Sequence, residues 1–159
     1  MGYWLMKSEP EAFSINDLAA RPNKTEHWDG VRNYQARNML RDKIKKGDQI
    51  FFYHSNCEPP GIVGIAKVIK EGYPDFTAFD PNSKHFDPKS NSENPRWFMV
   101  DIKLIKKFNK IIPLTLLKTI SELKNMTLLR KGNRLSVMPV STKEWQTILK
   151  LTKKNNGLL

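Results

Sequence analysis

At 159 residues the chain is long enough to bury a core without staples and falls within the roughly 100–200 residues usual for one domain. A single cysteine, Cys57, excludes an internal disulfide framework, no apolar run approaches the roughly 18 residues of a membrane-spanning helix, and the start MGYWLMKSEP turns polar too early for a signal peptide. The formal charge of +11 sits almost wholly in the C-terminal third: residues 1–101 carry 14 Lys and Arg against 14 Asp and Glu, whereas residues 102–159 carry 13 against Glu122 and Glu144 alone. An intracellular, cytoplasmic or nucleoid-associated protein with no membrane contact is expected. Such asymmetry points to a polyanion, through release of condensed counterions, or else to a solvated lysine-rich face.

In chain order, GYWLMK has the content of a short strand ended by the Ser8-Glu9-Pro10 turn. SINDLAA offers Ser14 as N-cap with Asp17 three residues on, a capping box for a helix that stops before Pro22. Asn33 caps a second helix in which Ala36, Met39, Leu40 and Ile44 recur at helical spacing and which Gly47 ends. DQIFFYH and GIVGIAKVIKEGY are too short and too β-branched for helices and predict two strands around the turn SNCEPPG. Residues 73–95, with four prolines and no apolar period, predict a long irregular loop of the kind often kept for function. RWFMVDIKLI predicts a central strand, Pro113 the first turn of a helix PLTLLKTI, RLSVMPVS a short strand, and Ser141 with Glu144 the capping box of the closing helix TKEWQTILKL. The order does not alternate regularly enough for a doubly wound sheet. The fold class expected is α+β, a small curved β-barrel flanked by helices, over residues 1–152, with a disordered basic tail at 153–159.

Few segments carry catalytic chemistry. His54 and Cys57 form an H-x-x-C, but zinc needs four placed ligands, and His27 and His85 stand in unrelated segments with no second Cys, so no metal is expected. Gly61 and Gly64 precede or lie within a strand, where a phosphate-cradling loop does not belong. A hydrolase site around His54, Asp29 and Cys57 is the alternative from the enzyme class. What remains is a set of aromatic and amide side chains near turns, a composition suited to stacking and edge-bonding of an unstacked base. Trp4, Trp97 and Trp145 read as core, while Trp28, between His27 and Asp29-Gly30, sits at a turn before an arginine-bearing helix.

The segments YWLMKSEP, WDGVRNYQARNMLRDKIKKGDQIFFYHSNCEPPGIVGIAKVIKEGYPD, RWFMVDIKL and RLSVMPVS follow one another over nearly the whole chain, which thereby resembles the EVE domain family. The resemblance implies a PUA-like fold, a barrel or pseudo-barrel similar to that of YTH domains, and a non-enzymatic pocket for a modified base, such as a modified cytosine in DNA or a modified RNA base. Carried onto this chain, that pocket takes Lys7, Ser8 and Pro10 after the first strand, Trp28, Val31 and Asn33 before the helix, Tyr53, His54 and Ser55, and Ser136 and Met138. Trp28 is the expected stacking wall, and Arg32, Arg37 and Arg134 the expected phosphate contacts. Modified DNA or RNA is the expected partner of a monomer, with no cofactor.

Overall fold

The computed structural model describes residues 2–154. Six strands form one mixed sheet: β1 (Tyr3–Ser8), β2 (Thr25–His27), β3 (Gln49–His54), β4 (Gly61–Pro74), β5 (Phe98–Pro113) and β6 (Val137–Val140). Their order across the sheet is β2-β5-β4-β3-β1-β6, with β1 and β3 parallel and every other pair antiparallel. The architecture is α+β, and the sheet is curved but not closed, because the outermost strands β2 and β6 each pair with one neighbour. Of the barrel or pseudo-barrel expected, the chain forms the open kind. Repeated register shifts between β4 and β5, the two longest strands, supply bulges of the kind that bend a sheet.

The apolar run of β3 is buried on both sides, so the period-2 alternation sorts its side chains into two cores. Ile50 and Phe52 join one cluster with Trp4, Met6, Trp28, Val68 and Ile102, while Phe51 and Tyr53 join the other with Leu5, Ile62, Met138 and Trp145. The second cluster is roofed by α4 (Thr142–Lys154), whose Trp145 ring lies 3.8 Å from that of Phe51. The expected Ser141–Glu144 capping box starts this helix. It continues through Lys153 and Lys154, two residues into the stretch expected as a tail; residues 155–159 lie outside the described residues.

The first cluster lies under α1 (Ile15–Ala20) and α2 (Tyr34–Asn38). Ser14 and Asp17 form the predicted capping box of α1, and Asn33 Oδ1 accepts from Ala36 N at the start of α2. The predicted run to Gly47 is shorter in fact: a π turn over Met39–Lys43 follows α2, and Ile44 is already extended. The wider turn keeps Leu40 and Ile44 both buried. Pro113 ends β5 and caps the short α3 (Leu114–Leu117), one position earlier than first-turn spacing predicts. β2 escaped the sequence reading because three polar-flanked residues carry no alternation.

Candidate nucleic-acid interface

A cavity of about 630 Å³ opens where the sheet fails to close, within the range of small-ligand pockets. Its wall comes from both sheet edges. Glu26 and His27 of β2 stand on one side and Ser136, just before β6, on the other, with Lys7 and Ser8 at the end of β1 between them. The curvature of the sheet thus brings two distant edges to one space.

Trp28 forms part of the wall and is also core: only 7% exposed, it meets Phe52 edge to face at 5.5 Å. Its backbone is fixed by Trp28 N–H donating to Val100 O at 2.8 Å, which continues the β2–β5 pairing by one residue. Val31, Ala12 and Phe13 add apolar surface. Polar groups are spread around them. Ser8 Oγ donates to Phe13 O at 2.5 Å, Lys7 N donates to Ser136 O at 2.8 Å, and burial holds the Lys7 ammonium below its ordinary pKa. Arg21 Nε reaches Glu26 Oε2 at 2.6 Å with its guanidinium over the Phe13 ring. The Asp29 carboxylate has its nearest partner, His27 Nε2, 3.9 Å away, beyond hydrogen-bond range.

The segment after Trp28 is locked by Asp75, whose side chain is fully buried. Its two oxygens accept from Gly30 N at 2.9 Å, Arg32 Nη1 at 3.0 Å, Thr77 N at 2.9 Å and Thr77 Oγ1 at 2.5 Å. Burial pushes this carboxyl up, but the hydrogen bonds from Thr77, Gly30 and Arg32 outweigh burial and hold it below the usual carboxylate range. Arg32 Nη2 also donates to His85 O at 2.6 Å. The His85 ring lies against Gly30, where a Cβ would come within 2.5 Å of it and where φ is +78°. The loop read as irregular is therefore a built lid: Asp75 N–H pairs with Trp97 O at its neck, and Ser83, Lys84 and His85 complete the cavity.

Of the residues expected in the pocket, Lys7, Ser8, Trp28, Val31 and Ser136 line this cavity together with Arg32. The others do not. Tyr53 and Met138 belong to the opposite core, one residue out of phase with Phe52 and Val137, and burial pushes the Tyr53 hydroxyl up to about 12. His54 Nε2 accepts from Ile15 N at 3.1 Å and so caps α1; burial first, and Lys107 further, hold its pKa below the ordinary value against the pull of Asp17. Ser55 N–H donates to Ser8 O and supports the wall from behind, Pro10 turns away in the β1–α1 connection, and Asn33 serves α2.

Of the arginines, Arg32 donates to Asp75 and to His85 O, and Arg37 to Arg96 O at 2.7 Å and to Asn38; Arg134 is exposed and lines a second cleft. The hydrolase trio is not gathered either: Asp29 is in the cavity, His54 caps α1, and the Cys57 thiol points to Pro59 O, its pKa raised by burial and by Glu58. Among the described residues no cluster of His, Cys, Asp and Glu could hold a metal ion.

A profile of the EVE domain matches residues 2–151. The chain belongs to the EVE domain family. Human thymocyte nuclear protein 1 is 47% identical to it over 96% of this chain and 74% of that protein, and the mouse protein of the same name is 49% identical over 94% and 73%. Among solved structures, the human THYN1 protein in complex with 5-methylcytosine-containing DNA superposes with a TM-score of 0.91 at 46% identity, covering 98% of this chain and 99% of that one. A Pseudomonas syringae protein does so with a TM-score of 0.89 at 50% identity over 94% and 98%. The PUA-like fold expected of an EVE domain is thus the fold this chain has, with its sheet left open at the cavity.

Proposed function

We propose that this EVE domain binds nucleic acid without catalysing a reaction and seats one extruded, modified cytosine in the Trp28 cavity. The observation that carries the reading is the cavity itself, a space at the open seam of the sheet with an aromatic wall, an apolar side and the Asp29 carboxylate, which stands 3.9 Å from His27 and takes no hydrogen bond among the described residues. The human relative of the same fold, solved with 5-methylcytosine-containing DNA, supports the ligand class. An aromatic wall stacks any base and therefore gives affinity without identity. Identity comes from the edge: carboxylates accept from the exocyclic amine of cytosine, and apolar side chains meet a pyrimidine methyl group. Asp29 is suited to the first task, and Val31 with Phe13 to the second. Arg32, Asp75 and His85 are positioning residues that hold the Trp28–Arg32 segment in place.

The experiment is titration of the protein with oligonucleotides that differ only in one cytosine, plain or 5-methylated, in duplex and single-stranded DNA and in RNA. Tighter binding of the methylated DNA is expected. Replacing the acceptor, Asp29→Ala, removes a hydrogen bond to a charged group, about 1.5–3 kcal/mol or roughly a 10- to 150-fold loss. Unchanged affinity in a folded Asp29→Ala protein would take Asp29 out of the base contact.

A further inference from the structure

A second cleft of about 510 Å³ backs onto the same two chain segments as the base cavity. Arg32 lines the first space and Asn33 the second; Ser136 lines the first and Leu135 the second. The two spaces therefore share a wall one or two residues thick. Met39, Leu135 and Pro139 give the second apolar surface, and Arg130 and Arg134 line it as well.

These two arginines differ from those of the first half of the chain. Arg21, Arg32, Arg37 and Arg41 are each bound to an internal acceptor: Glu26, Asp75 with His85 O, Arg96 O with Asn38, and Asp42. Arg130 and Arg134 are exposed, and among the described residues no side chain or carbonyl accepts from either guanidinium. Lys131 lies between them on a turn held by Gly132 at φ +78°. Only Glu122 and Glu144 offer negative charge anywhere in this third of the chain. Two unspent forks facing one cleft, unopposed by carboxylates, are matched to phosphate oxygens, which guanidinium groups grip in bidentate fashion.

We propose that this cleft holds the nucleotide next to the one in the base cavity, with its sugar on the Met39–Leu135–Pro139 surface and its phosphates at Arg130 and Arg134. The strand then crosses the shared wall, and the cleft supplies sequence-independent grip while the cavity supplies identity. This rests on the base-seating reading for its neighbour, but its grip is measured separately. Lys67 and Lys103, opposite one another on β4 and β5, line neither space and so serve as the comparison.

The test compares the parent with Arg130→Gln/Arg134→Gln and with Lys67→Gln/Lys103→Gln, which removes the same charge at positions lining neither space. Binding of a single-stranded oligonucleotide with one 5-methylcytosine is measured over a salt series. Loss of two phosphate contacts lowers the slope of log affinity against log salt by about 1.4 for a single strand. The arginine variant is expected to show that drop with its preference for the methylated base intact, and the lysine variant the parental slope. Neutral methylphosphonate linkages on one side of the methylated base should erase the difference between parent and arginine variant. An unchanged slope in the arginine variant, or an equal drop in the lysine variant, overturns the proposal. A parent that does not prefer the methylated base sinks the base-seating reading, while its slopes still decide the phosphate cleft.

Discussion

Trp28 holds two roles that a sequence presents as alternatives. It is 7% exposed and packed on Phe52, yet it walls the cavity. Trp28→Ala is therefore expected to cost about 3–5 kcal/mol of stability, visible as a lowered melting temperature, and a binding loss in that variant mixes platform with fold. Trp28→Phe separates them: it keeps a ring against Phe52, so its melting temperature should stay within a few degrees while affinity for a methylated oligonucleotide falls. His54 gives a pH signature instead. Its Nε2 must be unprotonated to accept from Ile15 N–H, and its folded pKa lies below the ordinary 6.5. The unfolded chain thus takes the proton first as pH falls, so this stability is complete above about 6.5 and is lost as pH falls toward the lower folded value. His54→Gln keeps an acceptor and does not titrate; its melting temperature between pH 7 and 5 should vary less than the parent's. A parallel pair of profiles would show that His54 is not the titrating group.

At the scale of elements, the lid formed by residues 75–95 stands on Asp75, and two substitutions probe it. Asp75→Asn leaves the partly buried Arg32 without its charge partner and should cost about 3 kcal/mol, read in denaturant unfolding. Because the Asp75 carboxyl is held below its unfolded value, its contribution is complete above the unfolded carboxylate range and is lost as pH falls through the folded pKa. Gly30→Ala puts a Cβ into the His85 ring in a left-handed backbone, about 1–2 kcal/mol of strain before the ring moves. It should weaken base binding with the core intact, and unaltered binding would show that the lid does not shape the cavity. Local elements were legible because their signals are local: Ser14 with Asp17 and Ser141 with Glu144 announce α1 and α4 within four residues. The lid was not, because Asp75 meets Gly30 and Arg32 across more than forty residues. Tyr53 and Met138 are a different case. Strand parity alone places Tyr53 opposite Phe52, so its absence from the Trp28 cavity was readable from β3 once Phe52 was assigned to that side.

At the scale of the whole molecule, the charge asymmetry of the sequence does not map onto the base cavity. The cations lining that cavity, Lys7, Arg21, Arg32 and Lys84, all come from the charge-balanced first 101 residues, whereas the basic C-terminal third reaches the adjoining cleft through Arg130 and Arg134. On the proposed reading, identity and grip are carried by different parts of one chain. The open seam of the sheet is the feature that joins them, since closing β2 onto β6 would remove the space proposed for the base. The most direct measurement is the ratio of affinities for two otherwise identical DNA oligonucleotides bearing one 5-methylcytosine or one cytosine, taken at several salt concentrations. A base seated against Val31 and Phe13 predicts a ratio favouring the methylated strand that stays constant while both affinities fall with salt. A ratio of one at every salt concentration would contradict it.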